Sequence, residues 1–255
     1  VLLKIARGFG ILAAATAGLL GIEVYLAYSR EYLPTTPALE LGGSFGPTDG
    51  DPLRFTVLGD STAAGLGAGD PDRAYATLLA ERLGQRGYRV ELTAFGVSGA
   101  RVHDVLVEQV PLAAATDPDL VFVGIGANDV THLTTLHDVE RDMGETLELL
   151  KATGATVAVA GPPDMRAAAW LEPLRSIVGW RGRVVADRIE KAARERGVPV
   201  VPLAELAGPY FAQNPEDAYA SDDFHPGAGG YRAWADAIFP VLLDALGERG
   251  GSTDG

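Results

Sequence analysis

The sequence predicts an α/β fold: a five-stranded parallel sheet with helices on both faces. Three observations carry the prediction. Short apolar runs alternate with longer helical stretches from residue 53 to residue 245, which is the order of a parallel sheet built from crossovers. Residues 120–125 form an unbroken apolar run, as in a strand covered on both faces. Hydrophobic residues make up 47% of the chain but aromatic residues only 7%. That balance favours closely packed helix-on-sheet layers over an aromatic-rich β-sandwich.

The elements follow in order. Residues 53–58 read as the first strand, and 72–83 as a helix with Tyr75, Leu78, Leu79 and Leu83 on one face. Residues 88–95 form the second strand. Residues 102–115 carry Val105, Leu106, Gln109 and Val110 at helical spacing. After the third strand at 120–125, a helix covers 138–152. The fourth strand, 156–160, is stopped by Gly161-Pro162-Pro163, since proline ends regular pairing. A long amphipathic helix at 181–196, a short fifth strand at 198–201 and a closing helix at 230–245 complete the domain, which spans residues 52–247. Right-handed crossovers gather the carboxyl ends of the strands on one edge. Residues 248–255 are Gly-rich and polar and read as a frayed tail.

Ahead of the domain, residues 8–28 are almost wholly apolar, broken only by Thr16 and Glu23, and Lys4 and Arg7 precede them. A span of about 20 apolar residues behind basic ones has the length of a bilayer crossing. The reading adopted is a signal anchor over residues 1–28, with the domain outside the cytoplasm. A cleaved signal peptide, giving a secreted protein, and a helix packed on the domain are the alternatives. Residues 29–51, with Pro34, Pro37 and Pro47, read as a Pro/Gly linker.

Charge and composition exclude other classes. A net charge of −13 with no basic run argues against nucleic acid as a partner. The chain has no cysteine, so disulfides, thiolate nucleophiles and Cys-bound metals are ruled out.

Several polar groups fall just after strand ends, where open α/β sheets bind ligands. Val57-Leu58 runs into Gly59-Asp60-Ser61-Thr62. Ser61 is a candidate nucleophile there, and on this stretch alone equally a helix N-cap. Further such groups are Gly96-Val97-Ser98-Gly99 and Gly126-Ala127-Asn128-Asp129, and Asp222-Asp223-Phe224-His225-Pro226 comes just before the last helix. A serine hydroxyl needs a base, and His225 is the best of four histidines. Asp222 lies three residues before it, close enough for a carboxylate to reach the imidazole if the segment turns locally.

These four blocks, in this order, resemble the SGNH (GDSL-type) hydrolases, and the resemblance covers about residues 53–245. It implies a flavodoxin-like α/β/α three-layer sandwich and hydrolysis of esters, thioesters or acyl groups on lipids, sugars or small molecules, with no cofactor. It implies Ser61 as nucleophile, His225 as base and Asp222, rather than Asp223, as the acid that orients it. The oxyanion donors it implies are the Ser61 N–H, the Gly99 N–H and the Asn128 side-chain amide, with Gly96 the neighbour if the register shifts. Asp60 is expected to stabilise its turn and Asp129 the Asn128 loop. Ser61 is further expected to open a helix, whose dipole would favour the oxyanion.

Three rivals stand beside this reading. Residues 96–100 nearly match a Gly-x-Ser-x-Gly elbow, which would make Ser98 the nucleophile. His132 and His137, with Asp129 and Asp138, raise a metal site, but a five-residue separation does not put both rings on one helical face. A membrane-tethered lipid- or carbohydrate-binding domain on an inactive hydrolase fold is the non-enzymatic alternative. The substrate is not legible in the sequence. Residues 162–180, with Met165, Trp170 and Trp180, are expected to wall an acyl or leaving group, or else to be an ordinary amphipathic helix. Residues 210–219 are expected to add aromatic surface near His225.

Overall fold

The structure is a computed structural model that describes residues 2–167 and 169–251, with side chains for 14–167 and 169–247. Helix α1 (Leu2–Ser29) leads to an edge strand β1 (Gly42–Phe45) and then to β2 (Asp51–Gly59). A 3-10 turn at Pro71–Arg73 precedes α2 (Tyr75–Gln85), and β3 (Tyr88–Ala94) returns to the sheet. Residues 102–115 are helical but not uniform. A short α3 (Val102–Asp104) widens into a π turn (Val105–Gln109) and narrows again into α4 (Val110–Ala115). The Val110 N–H bonds the Val105 carbonyl, five residues back, and Pro111 has no N–H to offer to the turn.

Strand β4 (Leu120–Gly124), a five-residue α5 (Ala127–Thr131) and α6 (Leu136–Ala152) follow. Helix α6 starts where the Thr135 hydroxyl accepts the Asp138 N–H at 3.1 Å, a side-chain N-cap. The chain continues through β5 (Thr156–Ala160), α7 (Leu174–Arg194), β6 (Val200–Val201), α8 (Leu203–Gln213), α9 (Pro215–Ala218) and α10 (Ala228–Gly251).

The sheet order is β1-β3-β2-β4-β5-β6. The five strands β3, β2, β4, β5 and β6 pair in parallel. Numbered among themselves they run 2-1-3-4-5, the flavodoxin-like order. The expected five-stranded, wholly parallel sheet is corrected in one respect. β1 adds a sixth strand, antiparallel to β3, with Gly42 opposite Thr93 and Phe45 opposite Val90. It comes from residues expected to be linker. Four residues with two glycines carry no alternating pattern to betray a strand.

Apolar side chains fill both faces of the sheet. On one, Phe55, Val57 and Phe122 pack with Leu79, Tyr231 and Ile238. On the other, Leu58, Val121 and Val159 pack with Met143, Leu147 and Ile189. Burying a side chain of this size contributes about 1.5–3 kcal/mol, so the apolar residues of β2, β4 and β5 on both faces hold the domain together.

Among the described residues no helix is long and apolar enough to cross a membrane. The expected anchor, residues 1–28, falls in good part on side chains outside the described set. Its far end meets the domain: Glu23 is buried, and its carboxylate accepts the Leu174 N–H at 2.8 Å. That bond satisfies an orphan donor at the start of α7, and the negative charge suits the helix dipole there. The expected frayed tail is helical in backbone to Gly251, and residues 252–255 lie outside the described residues.

Candidate active site

Strands β2 and β4 adjoin, while β3 and β5 lie on opposite sides of the pair. The crevice beyond their carboxyl ends is the topological switch point of such a sheet. Residue types at the strand ends set its shape. Gly59 pairs with Gly124 across the two strands. A Cβ at Gly59 would sit 2.1 Å from the Gly124 carbonyl oxygen, and its φ is +152°. Only glycine lets the chain leave β2 this close to β4.

Beyond Gly59 the chain does not form the expected helix. Ala64 N–H bonds Asp60 O, Gly65 N–H bonds Thr62 O and Leu66 N–H bonds Ser61 O, giving successive turns rather than a dipole-bearing helix. The first helical residues come only at Pro71–Arg73. Asp60 anchors this loop. One carboxylate oxygen accepts the Thr62 N–H at 2.9 Å and the Thr62 hydroxyl at 2.8 Å. Burial pushes the Asp60 carboxyl up against the pull of those bonds.

At the far end of the domain Asp222 and His225 form a tight pair. His225 Nδ1 lies 2.6 Å from Asp222 Oδ2. Asp222 Oδ1 accepts the backbone N–H groups of Phe224 at 3.1 Å and His225 at 3.0 Å. Burial drives the carboxyl upward, but the hydrogen bonds from the His225 ring and backbone outweigh it and hold the pKa at about 2. Asp223 does not share in this. It is exposed, has φ of +53° and pairs with Arg30 at 2.7 Å. The carboxylate on the His225 ring is thus that of Asp222 and not of Asp223.

Ser61, Gly99, Asn128 and His225 all line one cavity of about 570 Å³, within the range of small-molecule sites. Gly99 lies in a turn closed by the Ala100 N–H to the Val97 carbonyl, with φ of +87° and open space where a Cβ would be. The turn's third position needs positive φ, so conformation rather than close packing accounts for glycine there. Gly96 is the crowded one: a Cβ would meet Ala64 N at 2.3 Å. It packs the turn against the Ser61 loop. Ser98 also lines the cavity, but it lies within this turn, four residues before α3 begins at Val102. A nucleophile elbow instead leads straight from strand to helix.

Asn128 sits in α5, and its side-chain amide donates to the Ala100 carbonyl at 3.0 Å. That bond uses one amide hydrogen of two and fixes the group at the cavity wall. Asp129, wholly buried, accepts the Val102 N–H at 3.0 Å and ties the start of α5 to the start of α3. Burial raises its pKa.

Model and solved-structure comparisons agree with this architecture. The GDSL-like Lipase/Acylhydrolase family model matches residues 57–233. The chain belongs to this family. The GDSL-like esterase Rv1075c of Mycobacterium tuberculosis (strain ATCC 25618 / H37Rv) is 32% identical over 200 residues, covering 77% of this chain and 64% of that protein. The chain thus spans less than two thirds of the relative's length. Among solved structures, TesA superposes with a TM-score of 0.63 at 20% identity, covering 75% of this chain and 99% of the other. The lipase/acylhydrolase of Enterococcus faecalis gives 0.61 at 17% identity, over 74% and 94%. At these identities the likeness is one of fold.

Several contributors to this GDSL-family site escape a sequence reading. Gln109 is one. From the π turn its side chain bonds both backbone groups of Gly59, and its place on the helix face gave no sign of that. Gly67 is another: a Cβ would lie 2.3 Å from the Pro226 carbonyl and 3.4 Å from the His225 Cβ, so the serine loop packs directly on the histidine loop. The expected wall from residues 162–180 divides. Pro162, Met165, Trp170 and Ile177 line the cavity, and α7 begins only at Leu174. Trp170 is buried, while Trp180 is exposed. From residues 210–219, Phe211 and Tyr219 reach the cavity. Among the described residues no cluster of three or more His, Asp or Glu side chains could hold a metal ion. The His132 ring nitrogen lies 2.9 Å from the Asn128 carbonyl instead.

Proposed function

We propose that this protein hydrolyses carboxylic esters through a Ser61–His225–Asp222 acyl-enzyme mechanism. The observation that carries the reading is the 2.6 Å Asp222–His225 contact on the wall of the cavity that also holds Ser61. Asp222 fixes the imidazole tautomer, leaving Nε2 to take the proton of Ser61 Oγ as that oxygen attacks the ester carbonyl carbon. The negative charge on the carbonyl oxygen is met by the Ser61 and Gly99 N–H groups and by the second amide hydrogen of Asn128. Collapse breaks the bond to the alkoxy oxygen, and His225 returns the proton to it. Water, deprotonated by the same imidazole, then releases the acid and restores Ser61.

The lining favours an apolar acyl chain. Met165, Trp170, Leu203, Phe211 and Phe224 border the cavity, and an alkyl chain gains about 0.8 kcal/mol for each methylene buried there. Lipid and small-molecule esters fit this surface better than acetylated sugars, whose hydroxyls find few partners on it. The test is a p-nitrophenyl ester series from acetate to palmitate, alongside acetylated glycans and labelling by a serine-directed phosphonate. Turnover that rises with chain length, with the label on Ser61, supports the reading. No turnover of any ester by folded protein that also fails to label would overturn it in favour of a binding domain.

The anchor is part of the proposal. Residues 1–28, with Lys4 and Arg7 ahead of the apolar span at 8–28, tether the chain to the membrane and leave the domain outside the cytoplasm. Retention of the full chain in the carbonate-washed membrane fraction checks this, and release into the soluble fraction sinks it.

A further inference from the structure

We propose that residues 23–33, at the end of α1 and just beyond it, are a working part of the catalytic site: Arg30 positions Asp222, and the neighbouring side chains close the acyl cavity. This rests on the esterase reading above.

Two groups on this segment bond Asp222 directly. The Arg30 Nε donates to the Asp222 carbonyl at 3.1 Å, and the Leu33 N–H donates to Asp222 Oδ2 at 3.3 Å. That oxygen also takes the His225 ring. The other guanidinium arm holds Asp223 at 2.7 Å, so one Arg grips both residues of the Asp222-Asp223 pair from 192 positions away. Asp223 has positive φ without being glycine, a conformation that surrounding contacts must enforce. The Arg30 fork supplies such contacts in a fixed plane, which a lysine cannot reproduce.

The same segment forms cavity wall. Val24, Ala27, Tyr28, Tyr32 and Leu33 face the space that holds Ser61 and His225. Two contacts hold the segment there. Glu23 caps α7 through Leu174, and the Tyr32 ring meets the Phe224 ring edge-on at 5.2 Å between centroids. Phe224 in turn lies edge-on to His225 at 5.0 Å. Bilayer attachment by the earlier part of α1 needs neither the buried Glu23 carboxylate nor the bonds to Asp222, so these contacts call for a role of their own. Orientation of the acid is a chemical matter, because a wrongly held imidazole loses its productive tautomer.

The experiment uses the full chain with the p-nitrophenyl ester series. Arg30→Ala is expected to lower kcat about tenfold to a hundredfold on every chain length, with KM little changed, as for a misplaced catalytic group. Arg30→Lys is expected to recover only part of this loss. Leu33→Ala combined with Val24→Ala keeps the backbone donor and is expected to raise KM several-fold for octanoate and longer esters while sparing acetate. Wild-type kcat in both Arg30 variants, or an unaltered chain-length profile in the double variant, would overturn the proposal. Should Arg30→Ala not fold, Arg30→Lys and the double variant decide. Absence of all turnover by the wild type would count against the esterase reading instead.

Discussion

Gln109 holds the peptide groups of Gly59 from both ends, its Oε1 accepting the Gly59 N–H at 2.9 Å and its Nε2 donating to the Gly59 carbonyl at 2.8 Å. β3 has ended at Ala94 by this level, and the amide takes up bonds at the margin of the sheet. It thereby fixes the last strand residue before Asp60 and Ser61.

Removing that amide leaves a buried donor without a partner. Gln109→Leu is expected to lower the unfolding free energy by about 2–4 kcal/mol, most of it from the orphaned Gly59 N–H. The Gly59 carbonyl keeps the Val97 N–H at 3.1 Å. Urea denaturation of the two proteins measures the difference, and a change under half a kilocalorie would show that the clamp is not needed.

The nucleophile assignment separates on two serines. Ser61→Ala is expected to cut kcat by about 10⁴ or more. Ser98→Ala, a change within a surface turn, is expected to stay within about threefold of the parent. Kinetics on one good ester suffice, and the reverse pattern would move the nucleophile to the turn after β3.

Asn128→Ala removes a donor held in place by the Ala100 carbonyl. The expected loss is about 10²–10³ in kcat with little change in KM, because the oxyanion exists only in the transition state. A rise in KM alone would make Asn128 a substrate-binding residue.

Stability in acid depends on Asp222. Folding depresses its carboxyl to about 2, so the folded state binds that proton less tightly than the unfolded chain. The resulting stabilisation is fully present above the ordinary carboxylate range and is lost as pH falls toward 2. Asp60 and Asp129 are raised by burial and act in the opposite sense, favouring the folded state as pH falls. The stability gap between the parent and Asp222→Asn is therefore expected to be largest above pH 4 and to shrink toward pH 2. Urea midpoints across that interval read it, and a gap that does not vary with pH would contradict the assignment.

Much of the site was legible because its residues must sit at fixed points of a βα repeat. Ser61 and Asn128 follow strand ends and His225 precedes the closing helix, boundaries that hydrophobic patterning marks, and the four-block order joins them. Asp222 rather than Asp223 followed from the family resemblance, while the three-residue spacing to His225 showed only that the contact was within reach. The helix expected at Ser61 failed because Gly65 and Gly67, both with positive φ, break the run of small residues into turns. Gln109 and Gly67 went unseen because each acts through a contact with a segment more than 40 residues away.

The sequence by itself determined the layers, the five parallel strands and the residues gathered at the strand ends, because burial imposes periods of two and 3.6 that survive in the order of residues. Only the tertiary structure decided the edge strand and how the end of α1 meets the domain. β1, the Glu23 cap on α7 and the Arg30 and Leu33 bonds to Asp222 join positions far apart in the chain. Such contacts depend on where two surfaces meet, and no local pattern in either segment records its partner.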